Sequence, residues 1–286
     1  MLDPSPYLTL WSLHAPLPLK TEGHAHVWRV MDAKGQAAAL KLFQPGKGGS
    51  ERAAEQWDRA FGASGLIARL RAAHADALLF DWVGGTPLGD LSRNGHDDRA
   101  TSELACLTAR LLRVAPEQAQ GFVALPDYTR ALRRFAGDSR LRALEHVAMM
   151  RAKALIEVLL SSTERVQPMH GDLHHDNVIG TPGHWTVIDP KAVCGDPHYE
   201  PANAFRNPKG AKDETLSVAR FARMAEAYAH ETGLDRQRLL DWAAVKCALS
   251  ICWTLAAPTA QPPRLDLIRL PRLLGLSQSA PLSSAG

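Results

Sequence analysis

The first eighty residues alternate short apolar runs with turn-forming residues, a pattern typical of strands. Apolar runs at residues 27–31 and 37–43 flank Asp32-Ala33-Lys34-Gly35, so we predict a hairpin around this turn. Ser50 predicts the start of a helix, because apolar residues recur behind it every three or four positions, at Ala53, Ala54, Trp57 and Phe61. Two more apolar runs, predicted to be strands, follow at residues 66–70 and 77–83.

Beyond Gly84-Gly85, which marks an expected hinge, the spacing of apolar residues becomes helical. Three apolar faces are visible: Leu104, Leu107 and Leu111; Leu141, Leu144 and Val147; Ala152, Leu155 and Leu159. Two further helices are predicted at residues 214–231 and 235–255, with Thr232-Gly233 closing the first. The pattern therefore favours an α+β chain with a small strand-rich lobe and a larger helical lobe.

We place the boundary between the two predicted lobes after residue 81. The small lobe then covers residues 1–81 and the helical lobe residues 82–276. Residues 277–286 are Ser, Ala, Pro, Leu, Gln and Gly without periodicity, and we expect them to be mobile.

The composition excludes several classes of protein. Hydrophobic residues make up 45% and charged residues 22%, which is ordinary for a globular chain and argues against disorder or a coiled coil. A net charge of +3 without a basic cluster makes nucleic acid an unexpected partner. The four cysteines form no C-x-x-C pair, and no apolar run is long enough to span a membrane. We expect a cytoplasmic protein with no membrane partner, and the sequence leaves its oligomeric state open.

The most polar stretch lies between residues 167 and 207, where the helical period stops. It contains the run His170-Gly171-Asp172-Leu173-His174-His175-Asp176-Asn177. Apolar runs at residues 178–180 and 185–188 predict a small hairpin after this run. Antiparallel pairing would bring Asn177 opposite Asp189, with Cα atoms about 5 Å apart, so that an amide oxygen and a carboxylate could share a magnesium ion.

These residues together predict phosphoryl transfer to a hydroxyl group. That reaction needs one carboxylate that orients the nucleophile and is free of metal, here Asp172. It also needs Mg²⁺ to bridge the phosphates, here held by Asn177 and Asp189.

The same residues resemble the catalytic and metal loops of protein-kinase-like enzymes. Gly171 stands where protein kinases have Arg, and Asp189 is followed by Pro190-Lys191 instead of Phe-Gly. The chain therefore resembles small-molecule kinases of the aminoglycoside phosphotransferase group. More closely, the His170 to Asn177 run, Ile188-Asp189-Pro190-Lys191 and Arg206-Asn207-Pro208 resemble the aminoglycoside/hydroxyurea antibiotic-resistance kinases, which include streptomycin 6-kinases.

The resemblance implies a two-lobed protein-kinase-like fold that binds ATP and Mg²⁺. It assigns Asp172 as the catalytic base, His170 as a support of the loop backbone, and Asn177 and Asp189 as the magnesium ligands.

In the small lobe the resemblance implies four nucleotide-binding elements. Gly23 lies in the loop that would cover the phosphates, and Lys41 matches the strand lysine that contacts them. The partner of Lys41 would be Glu51, with Glu55 as the alternative. The adenine-binding connector would be Phe80-Asp81-Trp82-Val83. A lysine on a strand is otherwise most often a solvated edge residue.

Asp196 and Glu200 are the acidic residues that we nominate for contact with the acceptor, since a cationic acceptor needs carboxylates in its pocket. Glu200 could instead brace the catalytic loop. The histidines at 170, 174 and 175 could alternatively form a transition-metal site. The two tryptophans of the late helices, Trp242 and Trp253, are expected to be core residues.

We predict a kinase that transfers the ATP γ-phosphoryl group to a hydroxyl of a small molecule, and streptomycin is the predicted acceptor. Two alternatives stay open. The first is a metabolic kinase for hydroxyurea or another hydroxylated acceptor, and the second is a nucleotide-binding module that transfers no phosphate.

Overall fold

A computed structural model describes residues 2–21, 25–46, 53–117 and 120–277. The small lobe is one antiparallel sheet of five strands in the order β1-β2-β3-β5-β4. Its strands are β1 (His14–Lys20), β2 (Ala25–Met31), β3 (Ala37–Phe43), β4 (Leu70–His74) and β5 (Ala77–Asp81). A short helix, α1 (Ser5–Leu10), precedes the sheet, and α2 (Ala54–Phe61) lies between β3 and β4.

The β2–β3 hairpin confirms the predicted turn. The Asp32 carboxylate accepts hydrogen bonds from the backbone N–H groups of Lys34 and Gln36, both at 2.9 Å, and Gly35 supplies a φ of 75°. The strand predicted at residues 66–70 is wrong, since β4 begins only at Leu70 and Ile67 forms an isolated bridge. The sequence did not reveal β1, because that strand is exposed along its whole length and has no alternation of buried and exposed positions.

Helix α2 packs against the large lobe, although it lies between two strands of the small one. Trp57 and Phe61 are buried in the core that the large lobe builds, with ring centroids 4.0 Å apart. The Trp57 ring also meets the His170 ring in a T-shaped arrangement, at 5.4 Å between ring centroids. The predicted cap Ser50 lies outside the described residues.

The large lobe is mainly helical. Its helices are α3 (Gly89–Arg93), α4 (Asp97–Val114), α5 (Leu125–Tyr128), α6 (Arg130–Phe135), α7 (Ala143–Ser161), α8 (Val218–Thr232), α9 (Arg236–Leu255) and α10 (Arg264–Leu276). Gly233 closes α8 with a φ of 71°, as predicted. Within the described ranges no helix is both long and apolar enough to cross a bilayer.

Apolar spacing predicted α4 and most of α7 correctly. In α4 the leucines at 104, 107 and 111 are buried. In α7, however, Leu144 is 87% exposed and Val147 is 49% exposed, so this part of the predicted face is wrong. The buried face of α7 uses Met149, Leu155 and Ile156 among others.

Helices α9 and α10 gave weaker sequence signals for different reasons. Helix α9 is buried on nearly every side and was recognisable by its apolar content. Helix α10 was not predicted, because it follows Pro263 and contains Pro271, which interrupts the helical pattern.

Two small sheets lie beside these helices. One joins β6 (Thr86–Pro87) to the hairpin of β9 (Val178–Thr181) and β10 (His184–Val187), and the other joins β7 (Val123–Ala124), β11 (Val193–Gly195) and β8 (Gln167–Met169). Where the chain enters β6, Gly85 has a φ of 109° and lies so close to Gly180 that a Cβ atom would stand 2.2 Å from the Gly180 carbonyl oxygen.

Candidate active site

The loop between β8 and β9 is organised around His170, which is fully buried. Its Nε2 lies 2.8 Å from the carbonyl oxygen of Ile188, and its Nδ1 accepts a hydrogen bond from the backbone N–H of Asp172 at 3.1 Å. These two bonds require the tautomer with the proton on Nε2. Burial lowers the pKa of His170 to about 4, so the ring is neutral at physiological pH and ties the start of the loop to the end of the β9–β10 hairpin.

Glu200 holds the same loop from the other side. Its two carboxylate oxygens accept hydrogen bonds from the backbone N–H groups of His170 and Gly171, each at 2.9 Å. Burial raises the pKa of Glu200 to about 7, although these two donors oppose the rise. Gly171 has a φ of 78°, and a Cβ atom there would lie 2.5 Å from a methyl group of Val193, so only glycine fits this turn.

The Asp172 carboxylate is held by two side chains. Its Oδ1 atom accepts hydrogen bonds from the amide nitrogen of Asn203 at 2.8 Å and from the ammonium group of Lys246 at 3.1 Å. Burial by itself would raise the pKa of Asp172, but the charge of Lys246 and other nearby cations outweighs this, and the pKa is lowered. The carboxylate is therefore ionised and fixed in orientation.

Sequence reasoning missed both partners of Asp172, and Lys246 is the charged one. It lies on α9 with 1% of its surface exposed, and its ammonium group stands over the rings of Trp253 at 4.9 Å, Tyr199 at 5.4 Å and Tyr128 at 5.8 Å from the ring centroids. Lys246 is the one charged residue between Trp242 and Leu255, and this was the available signal, because a cation in an apolar helical segment is rarely buried without a partner.

A buried ion-pair network supports Asn203. Arg206 donates to the Asn203 side-chain oxygen at 2.9 Å and forms an ion pair with Asp266 at 2.6 Å. Asp266 lies on α10 and also contacts Arg269, so one carboxylate serves two guanidinium groups. Through Arg206 and Asn203, helix α10 fixes the position of the Asp172 carboxylate.

The two predicted magnesium ligands lie next to each other, with a shift of one residue from the predicted pairing. The backbone N–H of Ile188, and not that of Asp189, faces Asn177, donating to its carbonyl oxygen at 2.9 Å. The Asn177 amide nitrogen donates to the Asp172 carbonyl oxygen at 2.9 Å, so its amide oxygen is the atom that could coordinate a metal ion. Asp189 has a φ of 64°, a conformation that an aspartate adopts rarely and often at functional sites.

This pair of oxygen donors fits a magnesium ion, which is commonly bound by one or two protein groups together with phosphate oxygens. The transition-metal alternative finds no support. No group of three or more His, Cys, Asp or Glu side chains in the described ranges is arranged to hold a metal. His170 is bonded to the backbone, as described above, and His175 is buried next to the Arg220–Asp97 ion pair.

Lys41 projects from β3, the central strand of the small-lobe sheet, between Val27 on β2 and Leu78 on β5. It is therefore not a solvated edge lysine, and its side chain is 15% exposed. Its ammonium group lies 2.5 Å from Asp189 Oδ1. Burial acts to raise the pKa of Asp189, but Lys41 and Lys191 outweigh this and hold it well below its usual value.

The remaining residues predicted to bind the nucleotide are Gly23, Glu51 and the connector residues 81–83. Gly23 and Glu51 lie outside the described residues, and the alternative Glu55 is exposed on α2. In the connector, the Asp81 carboxylate pairs with Arg71 at 2.5 Å, and the Trp82 ring lies under the Arg29 guanidinium group at 5.2 Å.

Val83, the third connector residue, is half-buried. Nucleotide contact by Asp81, Trp82 and Val83 stays a prediction.

Asp196 and Glu200 are both buried, and their carboxylates bond groups inside the protein. Asp196 is 2% exposed and accepts hydrogen bonds from Trp242 at 2.9 Å and Arg238 at 2.6 Å. Although burial opposes it, these bonds and those from His198 lower the pKa of Asp196 to about 2. Glu200 is bonded to the catalytic loop, so of its two predicted roles the geometry favours bracing, and we assign neither carboxylate to the acceptor.

A cavity of about 830 Å³ opens beside Asp172. Its walls are the catalytic loop, residues 203–215, helix α9 and the start of α10. Trp242 is buried as predicted, but the prediction that Trp253 is a core residue is wrong, since it is 36% exposed and lines this cavity. The cavity gives a small molecule access to the Asp172 carboxylate.

The chain is similar in sequence to known proteins. Residues 11–257 match the family model described as aminoglycoside/hydroxyurea antibiotic resistance kinase. A streptomycin 3''-kinase from Klebsiella pneumoniae is 33% identical over 195 residues, 65% of this chain and 69% of that protein. A hydroxyurea phosphotransferase from Kitasatospora aureofaciens is 30% identical over 294 residues, 94% of this chain and 77% of that protein.

A solved structure confirms the fold class. The crystal structure of a choline/ethanolamine kinase family protein from Mesorhizobium loti matches with a TM-score of 0.69 and 13% identity, covering 96% of this chain and 91% of that chain. The predicted two-lobed protein-kinase-like fold is therefore correct.

Proposed function

Since the chain belongs to the aminoglycoside/hydroxyurea antibiotic resistance kinase family, and is an ATP-dependent phosphotransferase that acts on hydroxyl groups, we propose a specific reaction for it. The γ-phosphoryl group of ATP is transferred to a hydroxyl of a small polar acceptor bound in the cavity beside Asp172. The proposal rests chiefly on the Asp172 carboxylate, which lines this cavity and is held ionised by Lys246.

In the proposed reaction Asp172 is the catalytic base. The acceptor hydroxyl donates a hydrogen bond to the Asp172 carboxylate, and its oxygen attacks the γ-phosphorus atom. The new oxygen–phosphorus bond forms as the bond to the ADP oxygen breaks, and Asp172 takes the hydroxyl proton. Lys246 and Asn203 are positioning residues, because they hold the carboxylate at one oxygen and leave the other for the acceptor.

Asn177 and Asp189 would hold Mg²⁺, and Lys41 would bind the ATP phosphates. A magnesium ion held there would offset the negative charge of the ATP phosphates. In the structure described here Lys41 contacts Asp189, so nucleotide binding would exchange part of this ion pair for contacts with phosphate.

The acceptor is the part of the proposal that the family leaves open. The relatives named above act on streptomycin and on hydroxyurea, two compounds of different size and charge. Streptomycin, the acceptor predicted from the sequence, is the first compound to test, followed by hydroxyurea, other aminoglycosides and simple sugars.

The test is Mg-ATP-dependent release of ADP in the presence of each compound. Asp172→Asn keeps the size of the side chain and a hydrogen-bond acceptor but removes the base, so we expect a loss of activity of about a hundredfold or more. Asp98→Asn, a change on the exposed face of α4, is the matched control and should keep full activity. Full activity of Asp172→Asn would overturn the mechanism. ATP binding without turnover of any acceptor would favour the non-catalytic alternative.

A further inference from the structure

The acceptor cavity is lined by far more positive than negative side chains. Among the described residues that form its walls, seven are cationic and two are acidic. The acids are Asp172 and Asp266. The cations are Lys191, Arg206, Lys209, Lys212, Lys246, Arg264 and Arg269.

Both acids of the cavity wall are already occupied by cations of the protein. Asp172 accepts a hydrogen bond from Lys246 at 3.1 Å, and Asp266 pairs with both Arg206 and Arg269. Neither carboxylate therefore has a spare charge with which to bind a cationic ligand. A ligand with several ammonium or guanidinium groups would meet an excess of like charge.

Three of the cations are not offset in this way. Lys209, Lys212 and Arg264 are exposed at the cavity wall, the two lysines on the segment 203–215 and the arginine at the start of α10. No carboxylate in the described ranges lies within ion-pair distance of their charged groups. Low-dielectric walls such as Trp253 and Tyr128 strengthen the field of these cations inside the cavity.

We propose that the acceptor is an anion, a small hydroxylated molecule that carries a carboxylate or phosphate group. Its anionic group binds Lys209, Lys212 and Arg264, and its hydroxyl group reaches Asp172. This inference rests on the proposed function, because it identifies the acceptor by the charge of the cavity and takes phosphoryl transfer at Asp172 as given.

Four compounds that share one hydroxylated ring test which charge the cavity prefers in a ligand. They are glucose, glucosamine, glucuronate and glucose 6-phosphate. Their binding is measured by calorimetry to the full chain saturated with Mg²⁺ and a non-hydrolysable ATP analogue, so that phosphate cannot bind at the nucleotide site. We expect the two anions to bind at least about tenfold more tightly than glucose, and glucosamine to bind most weakly. A comparison of the affinities for glucuronate and glucose 6-phosphate shows whether the cavity prefers a carboxylate or a phosphate.

Charge reversal at the cavity wall supplies the second measurement. Arg264→Glu should weaken binding of the preferred anion by about tenfold or more, whereas Arg110→Glu, on an exposed position of α4 outside the cavity, should leave it unchanged. Tightest binding of glucosamine or streptomycin would overturn the inference. Equal binding of all compounds, absence of binding at millimolar concentration, or an unchanged affinity in Arg264→Glu would also overturn it.

The two proposals fail in different ways. Turnover of streptomycin that depends on Asp172, without any preference for anions, would refute the anionic acceptor and keep the proposed reaction. A clear preference for anions without phosphoryl transfer to any compound would refute the proposed reaction and keep the charge assignment of the cavity.

Discussion

Replacing Asp266 with asparagine tests whether the ion-pair network behind the site stabilises the protein and orients the base. Asp266 contacts Arg206 and Arg269, and the side chains are 5%, 19% and 3% exposed, respectively. Asp266→Asn keeps the shape of the side chain but leaves both guanidinium groups without this counter-charge. The substitution therefore isolates the charge of one carboxylate.

The structure sets the expected size of the effect. Removing one partner from a buried ion pair costs about 3–5 kcal/mol. Arg206 would still donate to Asn203 and Ser250, and Arg269 to Thr215, so we expect a loss near the lower limit, about 3 kcal/mol. For a chain of this size such a loss lowers the melting temperature by about 6–12 °C.

Urea unfolding followed by circular dichroism measures this loss, and Asp98→Asn is the matched control. Asp98 pairs with Arg223 at 3.1 Å, but the two side chains are 78% and 52% exposed, so the same substitution there should change stability by less than about 0.5 kcal/mol. Asp266→Asn should also lower kcat/KM, because Arg206 no longer fixes Asn203. A loss below about 1 kcal/mol, or equal losses in the two variants, would refute the assigned role of the network.

Two further predictions concern backbone fit and pH. Gly85→Ala places a Cβ atom 2.2 Å from the Gly180 carbonyl oxygen at a φ of 109°, so we expect a loss of roughly 3 kcal/mol. Gly84→Ala meets nothing within 4 Å and serves as its control, and equal melting temperatures would contradict the close contact. Burial lowers the pKa of His170 from 6.5 to about 4. Between these pH values the unfolded chain takes up a proton at this histidine and the folded protein does not, so the free energy of unfolding decreases as the pH falls. His170→Gln should remove up to roughly 3 kcal/mol of this pH dependence in urea unfolding, and unchanged dependence would argue against a buried neutral ring.

Local sequence signals were enough for much of the fold. The β2–β3 hairpin was predictable because its turn residues and apolar runs are adjacent in sequence, and α8 because its C-cap glycine directly follows it. Strand β1 and helix α10 were not, since β1 buries none of its side chains and α10 contains a proline. Their positions depend on tertiary contacts that leave no local pattern.

The same distinction applies to the site. Asp172, Asn177 and Asp189 follow one another within a short stretch, so their association could be predicted from a hairpin. Lys246 is 74 residues away from Asp172 in sequence, and Asp266 acts through two intermediate side chains. Contacts of this kind depend on how α9 and α10 pack in the folded protein, so the spacing of residues in the sequence cannot predict them.

The position of α2 also bears on how the protein folds. Trp57 and Phe61 belong by sequence to the strand-rich part of the chain, yet the apolar surface that covers them comes from the helical lobe. A fragment ending at residue 81 would expose both rings on the side that the helical lobe covers, and α2 would lose part of its burial free energy. The sheet has a buried apolar cluster of its own, which includes Trp28, Val30 and Leu40. We therefore expect such a fragment to keep the sheet but to hold α2 less firmly than the full chain does.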